Sequence, residues 1–357
     1  MKNLINNKYF RLLIILIATT VLYHDILLYD FADLDEDQYL RYNMDVQNFS
    51  YQSIQNFFTT QHTGHYLPAT LLVYMFSFRL WGMDTFYFHL LCLVLHIINI
   101  CLVYALINRL TKRLTTAVIT ALLFAVHPLQ IESFAWIVSV STQLFTFFYL
   151  ICLVTYLKYL ESGRKAVWLC FCFILMLFSV LSKSFGMTIP AVLLLFLIDK
   201  ERTFELKKSL HLLPFILLSF AAVTVAFVFV RSAGNLGASE NGITFIDKLF
   251  LVPYAFFFYI GKVFFPSGLI PLHFNPEKVN GFMPFYIYLS PAFFILIYAM
   301  LRLTKKFRIY IFRGLAFYSV TIFICLPFFA VGDTYAAEKY AYLPSVGIYY
   351  IIAAAFS

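Results

Sequence analysis

"RLLIILIATTVLYHDILLYDFADLDEDQYLRYN", residues 11–43, joins an apolar run directly to an acidic one. After Arg11, residues 12–29 are predominantly apolar, with His24 and Asp25 near their end; Asp30, Asp33, Asp35, Glu36 and Asp37 then follow within eight residues. At ~1.5 Å rise per residue, a helix of this length crosses the ~30 Å hydrocarbon core of a bilayer. No small-x-small cleavage pattern follows, and His24 and Asp25 stand where one would be needed. The run therefore reads as a retained first helix and not a signal peptide.

The rest of the chain repeats the theme. It is 62% hydrophobic and 20% aromatic, with a mean hydropathy of +0.82. Soluble domains stay near ~45–50% apolar, so the sequence predicts an all-α polytopic membrane protein. The six cysteines lie inside apolar runs with no disulfide or metal-ligand spacing. The net charge of +8 is not spread as a nucleic-acid surface. It falls in clusters between apolar runs: Lys2, Lys8 and Arg11; Arg109, Lys112 and Arg113; Lys158, Arg164 and Lys165; Lys200, Arg202, Lys207 and Lys208; and Arg302 to Arg313. That is the positive-inside pattern.

All these clusters reach one face only if two apolar stretches stay outside the membrane. Residues 67–82 begin at Pro68 and carry Arg79, and residues 246–266 carry Lys248, Pro253 and Lys262, as suits interfacial helices. About ten spans remain, near 11–29, 86–107, 114–128, 134–157, 166–182, 186–198, 211–230, 284–301, 311–330 and 343–357. The chain then reads as one transmembrane domain, 1–357, with a first outer loop at 30–85 and a long outer loop at 232–283. It ends inside "GIYYIIAAAFS", which points to a C-terminal region beyond residue 357.

This topology gathers the residues that are out of place in lipid on the outer face. An acidic loop is by default the wet end of a span, because an ionised carboxylate at the bilayer centre costs about 2.5–3.5 kcal/mol. Here Phe31, Leu34 and Tyr39 punctuate the acids and can hold the loop against the membrane. An extended backbone would point Asp33, Asp35 and Asp37 the same way. The adjacent Asp35 and Glu36 offer one carboxylate as a general base and another to tune it.

"AVHPLQIESFAW" puts His127 and Glu132 around Pro128 without metal-ligand spacing, and Glu132 requires a partner. "VLSKSFGMTIP" places Lys183 between two apolar runs, either snorkelling or ready for an anionic headgroup. Lys339 and Arg41 suit the same task, since carboxylates alone would repel a phosphate. His62 and His65 add polar contacts near "GHYLPAT". There is no glycine-rich phosphate loop, nucleophile elbow or HExxH.

Five motifs in order, "DFADLDEDQYL", "GHYLPATLLVYMFSFRLWGMDTFYFHLLCLVLHIINI", "LLFAVHPLQIESFAWI", "LSKSFGMTIPAVLLLFLID" and "AAEKYAYLPSVG", are spread along the chain from residue 30 to residue 347. Together they resemble the membrane half of the transmembrane and tetratricopeptide-repeat O-mannosyltransferase family and its bacterial relatives, and more broadly the GT-C glycosyltransferases. The resemblance implies a GT-C-type fold and a polyprenyl-phosphate sugar donor, with mannose favoured. It implies a protein or glycan acceptor, a bacterial inner membrane, and a site facing the periplasm. Carried over by position, it makes Asp35 the base, with Glu36 its neighbour. Lys183 and Lys339 stabilise the leaving phosphate, while His127, Glu132, His65 and Arg41 contact substrate. Relatives differ in their need for a divalent metal, and no other cofactor is implied. The chain departs from the family pattern at Leu34, Gln130, Val140, Thr142 and Lys339. Two other classes compete. An ion-coupled transporter would show inverted repeats and mid-membrane carboxylates, whereas an inactive GT-C-like scaffold would accord with Val140 and Thr142.

Overall fold

The computed structural model describes residues 8–60, 65–203, 205–232, 243–328 and 334–357. Lys2, His62 and the 233–242 part of the long loop lie outside the described residues.

Helix α1 (Lys8–Tyr23) continues as a 3-10 turn, His24–Leu28, and hands the chain to the acidic loop. After α2 (Tyr51–Thr59) and α3 (Pro68–Trp81), α4 (Thr85–Thr111) runs through the bundle. Buried residues from Phe88 to Ile107 recur at helical spacing on one broad face of α4, while Val94 and Ile98 on the opposite side are exposed. It packs on α5 (Leu114–Val126) and on α6 (Val140–Glu161), which forms a hairpin with α7 (Ala166–Ser182). Next come α8 (Ile189–Glu201), α9 (Leu213–Ser232), α10 (Phe245–Phe264), α11 (Phe293–Leu303), α12 (Arg308–Ile322) and α13 (Ser345–Ala355).

Every expected span overlaps a helix, although the one expected at 311–330 runs beyond Ile322, the end of its helix. Six helices are long and apolar enough to cross a membrane: Tyr9–Leu28, Thr85–Thr111, Ile137–Glu161, Leu206–Phe229, Phe285–Leu303 and Arg308–Cys325. A seventh forms if Leu114–Val126 and Pro128–Ala135, bent by 59°, count as one broken span. The other three, α7, α8 and α13, are shorter than the ~20 residues a full crossing takes. Helices α3 and α10 fall outside the six. Helix α10 is capped by Thr244 and Asp247 and interrupted by Pro253.

Two large apolar cores, with a small third one at Leu251, Met283 and Ile287, organise the described residues. The larger unites the bundle helices, including Ile100, Phe124, Leu153, Val192, Tyr318 and Tyr349. The smaller ties the first outer loop down through Tyr39, Leu40, Phe57, Tyr74, Phe88 and Trp136. Each such side chain buried from water contributes roughly 1.5–3 kcal/mol, so the acidic loop is anchored by its apolar residues. A two-stranded antiparallel ladder, β1 (His273–Phe274) with β2 (Thr334–Ala336), clips the long outer loop to the segment before α13. Periodicity cannot announce strands this short, and the sequence reading contains none.

Candidate active site

The acidic loop is not extended, and its aspartates do not share one direction. Asp33 has φ 53, and Asp37–Arg41 forms a π-helical turn. Arg41 collects both flanking acids: it pairs closely with Asp33, sits 3.1 Å from Asp37, and lies 4.8 Å over the Phe31 ring. The regular alternation is lost because one guanidinium gathers two carboxylates. Arg41 is thereby spent within its own loop.

The other two acids have separate fates. Glu36 is fully buried, and its carboxylate accepts the backbone N–H groups of Ala32 (3.3 Å) and Leu34 (3.1 Å). It folds the preceding residues around itself. Asp35 is half-buried, and its carboxylate has no hydrogen bond or ion pair among the described residues. It acts electrostatically on Lys339, Tyr74 and Tyr340. The loop thus commits Asp33, Glu36 and Asp37 and leaves Asp35 available.

Opposite this loop stand two lysines. Lys339 is held by Glu132, whose Oε2 accepts the Lys339 backbone N–H at 2.8 Å and whose Oε1 lies 3.9 Å from Nζ. The same Nζ lies 3.8 Å above the Trp136 ring, an arrangement in which the cation meets the negative face of the indole. Burial lowers the Lys339 pKa, opposed by Glu132, Asp35 and Glu36 in that order. Lys183, the first residue after α7, donates to Thr142 Oγ1 at 2.7 Å and lies 4.9 Å from the Phe185 ring and 5.4 Å from the Tyr340 ring. Burial, then the charge of Lys339, pulls its pKa down to about 7.

His65 is in part solvent-exposed. Dehydration, then Lys183 and Lys339, lowers its pKa to about 4, so the imidazole is neutral at the mouth of the site. His127 has both ring nitrogens engaged: Nε2 meets the Val263 carbonyl at 2.9 Å, and Nδ1 accepts the Leu129 N–H at 3.2 Å. These bonds fix its tautomer and tie the Pro128 turn to α10.

The structure therefore brings Asp35, Glu36, Glu132, Lys183, Lys339 and His65 into one electrostatic neighbourhood. Arg41 is turned into its own loop, and His127 braces the turn behind. Sequence reasoning missed three participants. Thr142 anchors Lys183, Trp136 supports Lys339, and His273 bonds Glu338 at 2.8 Å while Ile270 N–H reaches the same oxygen at 3.0 Å. Trp136 lay in a quoted motif and Thr142 among the departures from the family pattern, but their contacts are long-range and leave no local pattern. A recess of about 340 Å³ opens beside the site, lined by Leu34, Glu132, Trp136, Ile270 and Glu338. No three His, Cys, Asp or Glu side chains converge as a metal-ligand group among the described residues.

Residues 64–229 match the dolichyl-phosphate-mannose-protein mannosyltransferase family. Over 106 residues, 29% of this chain and 12% of the relative, the sequence is 34% identical to the human protein O-mannosyl-transferase TMTC1. Over 185 residues, 43% of this chain and 19% of the relative, it is 30% identical to the protein O-mannosyl-transferase Tmtc3 of Drosophila melanogaster. The matches thus span less than a fifth of these relatives' lengths. No solved structure matches. These similarities bear out the resemblance to O-mannosyltransferases that the five sequence motifs carry.

Proposed function

We propose that the chain is a membrane glycosyltransferase. It moves a monosaccharide, mannose first among the candidates, from a polyprenyl-phosphate donor to an acceptor hydroxyl on a protein or glycan. The observation that carries this reading is a single uncommitted carboxylate, Asp35, within electrostatic reach of the dehydrated Lys339, which in turn acts on the dehydrated Lys183.

Asp35 takes the proton of the acceptor hydroxyl as its oxygen attacks C1 of the sugar. The C1–O bond to phosphate breaks, and its electron pair leaves with the lipid phosphate. One displacement inverts the anomeric centre. The leaving group is already anionic and needs stabilisation more than protonation, which Lys183 and Lys339 supply. Glu36 acts through the loop, holding Asp35 in place by two backbone hydrogen bonds. Glu132 and Trp136 hold Lys339, and Thr142 holds Lys183 without neutralising it. The charge asymmetry along the sequence supports an outer, periplasmic site.

The test is transfer by purified protein in liposomes supplied with radiolabelled polyprenyl-phosphate mannose, then glucose, galactose and arabinose donors. Release of sugar to a crude acceptor extract from one donor supports the reading and names the sugar. Failure with all four rejects it.

A further inference from the structure

A second cavity lies at the end of the bundle opposite Asp35. Helix α4 runs from its Asp84 cap to Thr111, α5 returns to His127, and α8 leads away from Lys183, so the ends at 111 and 201 are both remote from the site. Between them, closed by α12 and α13, is a cavity of about 310 Å³, at the lower end of the ~300–1,000 Å³ range of ligand pockets. Its floor includes Leu106, Ile107 and Val346, all buried; its rim includes Ile309 and Phe312, both exposed. The slot therefore opens sideways, toward where lipid tails would lie. An apolar cavity stays dry.

The mouth of the slot carries unbalanced positive charge. Asp199 Oδ1 accepts two bonds from Arg313, at 2.8 and 2.5 Å, and lies 3.8 Å from Arg202, whose side chain is 71% exposed. One carboxylate thus serves two guanidiniums. The neighbouring acids are already engaged, Glu201 by Arg164 and Lys208, and Glu205 by Lys208. Arg202 ends α8 with φ 62. Lys112 and Arg164 also have positive φ near helix ends, so its backbone alone signifies nothing. What distinguishes Arg202 is the apolar slot that it borders.

The geometry points to a binding site for an anionic phospholipid of the adjoining leaflet, with one acyl chain in the slot and the phosphate on Arg202. A free anion would gain nothing from the apolar walls, and a neutral lipid would leave Arg202 unanswered. The site is independent of the transfer reaction and stands or falls separately from it.

Native mass spectrometry of the protein, taken from vesicles of equal phosphatidylglycerol and phosphatidylcholine, tests this. Retention of phosphatidylglycerol should exceed that of phosphatidylcholine about fivefold, the preference one basic residue confers at an anionic surface. Arg202→Gln, at an exposed position, should erase the preference, and Leu195→Trp should fill the slot and remove both adducts, with thermal melts confirming folded protein. Equal retention of the two lipids by wild type would overturn the proposal. So would a preference surviving Arg202→Gln, or adducts unchanged by Leu195→Trp, which would mark only a headgroup on the surface.

Discussion

Asp35, Glu36, Glu132, Lys183 and Lys339 could be picked out because each is a polar residue where composition and charge topology leave few reasons for one. What they bond to was not legible. Nothing local says that Arg41 closes on Asp33 and Asp37, or that His127 spends both nitrogens on backbone, since partners such as Val263 lie far away in sequence. Lys183 gives a pH prediction. Its pKa, about 7, means that the ammonium is present below pH 7 and lost as pH rises through it. Donor affinity measured by equilibrium binding should therefore fall above pH 7, approaching tenfold per pH unit. Lys183→Arg should flatten the profile, because a guanidinium stays charged. Thr142→Asp should move the inflection upward, because a carboxylate 2.7 Å from Nζ would favour the charged lysine. An unchanged wild-type affinity from pH 6 to 8 would remove Lys183 from the phosphate site. For Glu36→Ala, the loss of two charge-assisted hydrogen bonds in a buried setting should cost about 2–5 kcal/mol by chemical denaturation. Glu36→Gln, which keeps one acceptor oxygen, should cost less.

Hydropathy and charge located the helices, including the two kept outside the set of spans, because length and composition are local properties. The β1–β2 clip was invisible, because two or three residues carry no period, yet it brings His273 to Glu338. The α12–α13 crossing was equally silent in the sequence, although two glycines make it. A Cβ at Gly314 would stand 2.4 Å from the Gly347 carbonyl oxygen, and one at Gly347 would stand 2.4 Å from that of Gly314. Small residues permit such close approach between helices in a membrane. Gly314→Ala must push α12 from α13 and should destabilise the protein by about 1–3 kcal/mol, seen as a lower Tm in detergent. Gly261→Ala is the control, since its Cβ would meet nothing within 4 Å. Equal Tm values for both variants would contradict the crossing.

Across the whole molecule, the basic clusters and the Asp35 site lie at opposite ends of the helices, so orientation decides which compartment supplies the acceptor. On a cysteine-free background, a membrane-impermeant thiol reagent should label Ser267→Cys in intact spheroplasts and Ser162→Cys only after permeabilisation. The reverse pattern would move the reaction to the cytoplasmic face. The central claim, that Asp35 is the base, has a more direct test. Wild type and Asp35→Asn are compared for sugar transfer from the active polyprenyl-phosphate donor, with donor binding measured in parallel. The account predicts a loss of turnover of at least about 10²-fold, the scale of a general base, with donor affinity retained. An Asp35→Asn protein that turns over like wild type would contradict it.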